Sequence, residues 1–250
     1  MKFFRKIRQQ LLSESKIGNY SLYAIGEIFL VVIGIVIALQ IDNWNEERNL
    51  RKTEVALLKE MQKNLEADLA ETQWNINLNK EKLKANEVVL ENLKSPERHN
   101  DTLDFYYANL MGGAYFSTNT SAYDNLESIG FNIIEKDSLR IKITELYSNK
   151  YKYIHRLESN FIDNFYSSQL EPLIIRNIIT DTVWISARPV NHSKLAINHE
   201  FKETIKLNIH WIRFMLGNYA NIEEEIATLI NQIDREIKNR NNSPSIFHGS

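Results

Sequence analysis

The residues from Leu22 to Ile41, LYAIGEIFLVVIGIVIALQI, form a nearly unbroken apolar run of 20 residues with one charged side chain, Glu27. At about 1.5 Å per residue, a helix of that length crosses roughly 30 Å, the depth of a bilayer's hydrocarbon core. No side chain from Ile28 to Leu39 is polar, so the helix is apolar all round. A globular surface helix would instead carry one apolar stripe. Tyr20 and Tyr23 stand at one end of the run and Trp44 just beyond the other, where amphipathic rings settle at the interface. Two other readings compete, a buried core helix and a cleaved signal peptide. A signal peptide has a shorter apolar stretch and a small-x-small cleavage site, and the sequence ALQIDNW has none. The run is therefore read as an uncleaved, single-pass anchor in the lipid bilayer.

Charge around the run predicts its orientation. Residues 1–21 carry Lys2, Arg5, Lys6, Arg8 and Lys16 against Glu14, a local net charge of +4. On the far side Arg48, Arg51, Lys52 and Lys59 are more spread out. The denser cluster predicts a cytoplasmic N-terminus, with the C-terminal domain then in the periplasm. Phe3, Phe4, Ile7 and Leu11 share one helical face while Lys2, Arg5, Lys6 and Arg8 turn away. Residues 1–21 thus read as a basic amphipathic segment on an anionic surface, or as a plain basic flank.

Glu27 lies inside the apolar run, where a charge must be protonated, paired or close to the headgroups. Glu27, Gly34 and Ile41 are seven apart, and Gly34 with Ala38 makes a small-xxx-small pair that lets another helix come close. The face through Glu27, Gly34 and Ala38 is a candidate for association with a second copy or another membrane protein. The alternative is that Glu27 reaches back to the interface.

These segments also carry a resemblance. FFRKIRQ, YAIGEIFLVVIGIVIALQIDNWNEER, and further on SAYDNLESIG and DSLRIKITELY, resemble a family of small bacterial membrane proteins known only as a domain of unknown function. The resemblance implies a Gram-negative inner-membrane protein and supplies no catalytic residues.

Beyond the anchor, turn-makers are scarce: 8 Gly and 4 Pro in the whole chain. That favours long helices over many short strands. Leu58, Met61, Leu65, Leu69, Thr72, Ile76, Leu83 and Leu90 mark one helix from Asn45 to Lys94, closed by Ser95-Pro96. Residues 101–111 read as a short helix capped by Asp101 or Thr102. SAYDNLESIG reads as another, with Ser121 as cap, Tyr123, Leu126 and Ile129 inward, and Gly130 as a left-handed stop. Leu139, Ile143, Leu146, Ile154, Leu157, Phe161 and Phe165 mark a second long helix, Asp137 to Leu170, ended by Pro172. Residues 173–199 are the least regular: LIIRNII fits a helical turn or a buried strand, and Arg188-Pro189 and Asn191-His192-Ser193 read as loop. Phe201, Ile205, Ile212, Tyr219, Ile222, Ile226, Ile233 and Ile237 mark a third long helix, His199 to Lys238, weakened at Gly217. The expected fold is all-α, one transmembrane helix continuing into an elongated antiparallel helical bundle. Its parts are the segment 1–21, the span 22–41, a water-soluble helical domain 42–240 and a disordered tail 241–250.

Signatures of chemistry are sparse. The absence of cysteine excludes disulfides, thiolate metal sites and thiol nucleophiles. No phosphate loop or G-x-S-x-G elbow occurs. His199-Glu200-x-x-Glu203 lacks the second histidine of a zinc helix and reads as an acidic helix start. His155 and His210 read as packing or surface residues, and Glu46-Glu47 and Glu223-Glu224-Glu225 as solvated faces. No cofactor or metal is expected, and no catalytic residue is assigned. Residues 42–250 carry a net charge of −5, which argues against a nucleic-acid partner. One stretch, 111–130, breaks the helical monotony with Gly112-Gly113 and many hydroxyls. Thr118, Ser121, Tyr123, Asp124 and Glu127 are its candidates for a polar pocket, with hydroxyl caps between helices as the plainer reading. Two functions follow: a non-enzymatic, membrane-anchored interaction or scaffold module, or an envelope enzyme or processing factor using that loop.

Overall fold

The computed structural model describes the backbone of residues 17–95, 100–113 and 115–242, with side chains from Ala24 onward. The amphipathic segment before residue 17, Pro96 and the tail 243–250 lie outside the described residues. The chain divides into two compact units, one up to Thr53 and the other starting at Glu54.

Helix α1 runs over Ile17–Asn92, so no break separates the apolar run from the stripe after it. No Gly or Pro falls between Ala38 and Asn92 to interrupt it. In the first unit its apolar side chains, from Ile25 through Ile41, face outward. It is the one helix, among the described residues, long and apolar enough to cross a membrane, and none of its most apolar window is buried.

The second unit is a bundle of four legs. The first leg is α1 from Glu54 to Asn92. The second is mostly irregular: a 3-10 turn (Asp101–Leu103), α2 (Asp104–Ala108), α3 (Ser121–Ile129) and a 3-10 turn (Phe131–Ile133). The third is continuous helix: α4 (Asp137–Glu145), a π segment (Leu146–Tyr151), α5 (Lys152–Glu158), a longer π segment (Ser159–Leu170) and α6 (Glu171–Asn177). A hairpin, β1 (Ile178–Thr182) and β2 (Ser186–Pro189), and the short α7 (His192–Ile197) lead to the fourth leg, α8 (His199–Asn242).

Side-chain pairs give the directions. Asn86 meets Leu110 and Asn208, Asp68 meets Asn119 and Tyr151, and Glu54 meets Glu135 and Arg240. Each leg therefore runs opposite to the one before it, an up-down-up-down bundle whose second leg is largely loop. Its core holds the expected stripe of α8, from Phe201 to Ile237, and most of that of the third leg. A column of rings fills the space behind the second leg. Tyr123 stacks on Tyr147 at 4.6 Å, Tyr147 meets Tyr151 edge-on at 5.1 Å, and Tyr151 meets Phe116 at 5.2 Å. Such pairs add about 1 kcal/mol each beyond their burial.

Several local expectations are corrected. Asn100, not Asp101 or Thr102, caps the first turn of the second leg, accepting from Thr102 N at 3.0 Å. Ser121 does not cap α3; its hydroxyl accepts from Asn64 Nδ2 at 2.8 Å. Ile129 points outward, and Gly130 stops the helix with φ 107° and ψ 136°, an extended positive-φ shape rather than the left-handed helical one. Pro172 does not end the third leg. It sits in the first turn of α6, where a missing N–H is tolerated. Arg188 and Pro189 close β2, and Asn191 caps α7 by accepting from Lys194 N at 3.0 Å. Asn239 to Asn242 are helical, and Arg240 is held between Glu54 at 2.9 Å and Glu236 at 3.1 Å, so the helical domain extends past residue 240.

Candidate functional site

The most unusual feature of the bundle lies along the first leg. Its innermost positions alternate steps of four and three, from Glu54 through Leu58, Met61 and Leu65 to Asp68, Thr72, Asn75, Asn79, Lys82, Asn86, Val89 and Leu93, and all are buried. This is the spacing of a heptad seam. Between Leu65 and Val89 the seam is polar, although buried polar groups cost free energy unless they find partners. Thr72, Asn79 and Asn86 turn back onto carbonyls one turn earlier, those of Asp68, Asn75 and Lys82. Both side-chain atoms of Asn75 are buried without a hydrogen-bond partner among the described residues.

Two buried carboxylates organise the lower and middle part of this interior. Asp68 accepts from Asn119 N at 2.9 Å, from Asn119 Nδ2 at 2.7 Å and from the Tyr151 hydroxyl at 2.8 Å. Glu158 accepts from Phe116 N at 2.9 Å and the Tyr219 hydroxyl at 2.5 Å. Burial pushes both carboxyls above the usual carboxylate range, and their hydrogen bonds offset part of that rise. Burial likewise pushes the Tyr151 and Tyr219 hydroxyls well above the ordinary phenol range, so they donate to the two carboxylates.

The polar stretch 111–130 serves this framework. Phe116 and Asn119 supply main-chain donors to the two carboxylates. Tyr123 shares a hydrogen bond with Ser148 at 2.8 Å, Ser121 faces Asn64, and the Thr120 hydroxyl donates to Asp124 at 2.8 Å. Thr118 lies 3.5 Å from His155 Nε2, and His155 Nδ1 lies 3.5 Å from Glu158. Both separations are at the outer limit of a hydrogen bond, too long for an activated hydroxyl. Glu127 is exposed. Thr118, Ser121, Tyr123, Asp124 and Glu127 thus point to different neighbours rather than to one shared space. Two surface grooves lie between the third and fourth legs, one beside Lys142 and Thr228, the other beside Tyr153 and Asn221, and neither takes a residue from 111–130.

The upper part of the interior was not legible as a site. Lys82 is 3% exposed, and its ammonium donates to Asn109 Oδ1 at 2.9 Å. It lies 5.5 Å from the centre of the Trp184 ring, at the tip of the hairpin. Asn109 Nδ2 donates to the carbonyls of Phe105 at 2.8 Å and Trp184 at 2.9 Å, tying the tip to α2. Next to it Asn208 Nδ2 donates to Asn86 Oδ1 and to the Leu110 carbonyl, both at 2.9 Å. Burial lowers the Lys82 ammonium below its ordinary value. The turn Thr182–Ile185 closes with Ile185 N donating to Thr182 O at 3.0 Å, and Trp184 takes φ 62° there. A bulky side chain in that region is strained by about 1–2 kcal/mol, a departure that concentrates at functional positions.

The remaining candidates are scattered. In the first unit Gly34 and Ala38 face outward, and a methyl group at Gly34 would meet nothing within 4 Å among the described residues. Glu27 is half-buried. Glu203 pairs with Lys206 at 2.6 Å and Glu200 lies 4.0 Å from Arg176, so the acidic start of α8 is engaged in ion pairs.

Comparison with known proteins gives one match. The model of a family of unknown function, DUF6090, covers residues 27–173, which takes in most of the apolar run, the first two legs and nearly all of the third. No curated protein matches and no solved structure matches.

Proposed function

The chain belongs to DUF6090, a family of unknown function, and from that premise we propose that it is a membrane-anchored helical interaction module. The carrying observation is the apolar stretch of α1, which is long enough to cross a bilayer and has none of its most apolar window buried in the protein. Apolar surface left in water costs about 25 cal/mol per Å², and an exposed patch of this extent calls for lipid or a partner. Residues 22–41 then span a bacterial inner membrane, with the basic residues 1–21 on the cytoplasmic side and the bundle in the periplasm. Glu27, Gly34 and Ala38 form the face for a second copy or another span, and the bundle is the part that meets a partner. Use of the stretch 111–130 by an enzyme finds less support, because its donors serve Asp68 and Glu158 inside the bundle.

Alkaline carbonate extraction tests the tether. The full chain is expected to stay in the membrane pellet. The double substitution Ile33→Asp and Ile37→Asp adds about 3 kcal/mol per residue against insertion and is expected to release it. A full chain that carbonate strips from the membrane contradicts the reading.

A further inference from the structure

We propose that the tip of the hairpin, Val183-Trp184-Ile185, inserts into a lipid surface and gives the bundle a bilayer contact of its own. These three consecutive apolar side chains are 65%, 61% and 65% exposed. A hairpin turn is ordinarily built from Gly, Asn and Asp. Here the turn Thr182–Ile185 places Trp184 at φ 62°, where glycine is favoured. The backbone beneath it is fixed. Asn109 Nδ2 donates to the Trp184 carbonyl at 2.9 Å, and the Lys82 ammonium lies 5.5 Å from the centre of the indole. The same nitrogen donates to the Phe105 carbonyl at 2.8 Å, so Phe105, itself exposed, lies beside the tip. The fold thus holds an apolar wedge outward instead of laying it on the bundle, and an exposed apolar patch of this kind calls for a partner.

Three properties select lipid as that partner. The first is shape. The side chains project from a β-turn, a convex point that a flat protein face covers poorly and a fluid acyl layer closes around. The second is charge. No charged residue falls between Asp181 and Arg188, and those two pair with each other at 2.6 Å. The tip therefore carries no charge into lipid, where a charge is costly, and offers nothing to a partner that reads charge. The third is side-chain type. An indole between two aliphatic side chains, bounded by Thr182 and Ser186, suits the boundary between acyl chains and headgroups. The inference rests on the tethered reading in one respect, that an anchor in lipid keeps a bilayer at high effective concentration around the tip.

The chain has no cysteine, so Val183→Cys gives a single site for the environment-sensitive dye NBD. The labelled full chain is bound to vesicles of phosphatidylethanolamine and phosphatidylglycerol, with and without nitroxide on the acyl chains. At the depth of about 5–10 Å usual for interfacial elements, nitroxide lipid is expected to quench the tip dye about twofold or more. A dye on Ser128→Cys, exposed on α3, is expected to stay unquenched. Ile185→Asp replaces a side chain that stands mostly in solvent, so it spares the fold, and it is expected to remove most of the quenching. An unquenched tip on vesicle-bound chain, equal quenching at residues 183 and 128, or quenching that Ile185→Asp leaves unchanged overturns the proposal. An unquenched tip whose emission moves to the blue as chain density rises marks a second copy as the occupant and overturns it as well. Carbonate separates the two readings. Chain that carbonate strips although its tip was quenched contradicts the tether alone. Chain that resists carbonate with an unquenched tip contradicts the tip alone, and chain that binds no vesicles contradicts both.

Discussion

Asp68 and Glu158 are the residues on which the interior of the bundle turns, and burial makes each hold its proton more firmly in the folded chain than in the unfolded one. The sign follows from linkage. Where the native state binds more protons than the unfolded state, stability falls as pH rises. These two groups therefore favour the native state most at pH values below their raised folded range, and their contribution declines as the pH climbs through it. Asp68→Asn combined with Glu158→Gln removes the part of the dependence that these two groups supply. Urea unfolding of both proteins at about pH 7.5 and about pH 4.5, close to the ordinary carboxylate range, is expected to show the wild type gaining on the double variant at the lower pH. A difference that stays constant, or grows with pH, contradicts the assignment. At this scale the sequence was legible only in part. Leu83 and Leu90 were preferred as inward residues because they are apolar. The structure leaves both at the edge of the core and buries Lys82, Asn86 and Val89 instead. The alternation of four and three was present in the sequence, but it passes through residue types that ordinarily face water.

The elements were easier to read where a single period holds. The stripe of α8 keeps its phase, and every apolar residue assigned to it is buried. The third leg does not keep its phase. Seven residues beyond Leu146 stands Tyr153, which is 38% exposed, while Ile154 is buried. The π segment Leu146–Tyr151 widens the turn and resets the phase, a change of hydrogen-bond partner with no residue signature of its own. The hairpin was ambiguous because Ile178 and Ile179 follow a helical turn without a break in composition. Two glycines test this description of the elements. Gly217 lies inside α8 with open space around it, so Gly217→Ala is expected to stabilise by about 1 kcal/mol through helix propensity. Gly130 also has open space but sits at φ +107°, so Gly130→Ala is expected to destabilise by about 1–3 kcal/mol from backbone strain alone. Chemical unfolding reads both, and shifts of equal sign contradict the assigned backbone.

At the scale of the whole molecule, the all-helical class and the joining of the apolar run to the next stripe were legible, because both rest on long, regular patterns. The second leg was not, since its path is set by single donors, Phe116 N and Asn119 N, reaching carboxylates on other legs. The central claim is that the apolar stretch is threaded through a bilayer with the bundle on the periplasmic side. The chain has no cysteine, so one placed at the exposed Ser128 is the sole target for a thiol reagent. Ser128→Cys is expected to react with a membrane-impermeant maleimide in intact spheroplasts. Reaction only after the cells are broken would contradict the account.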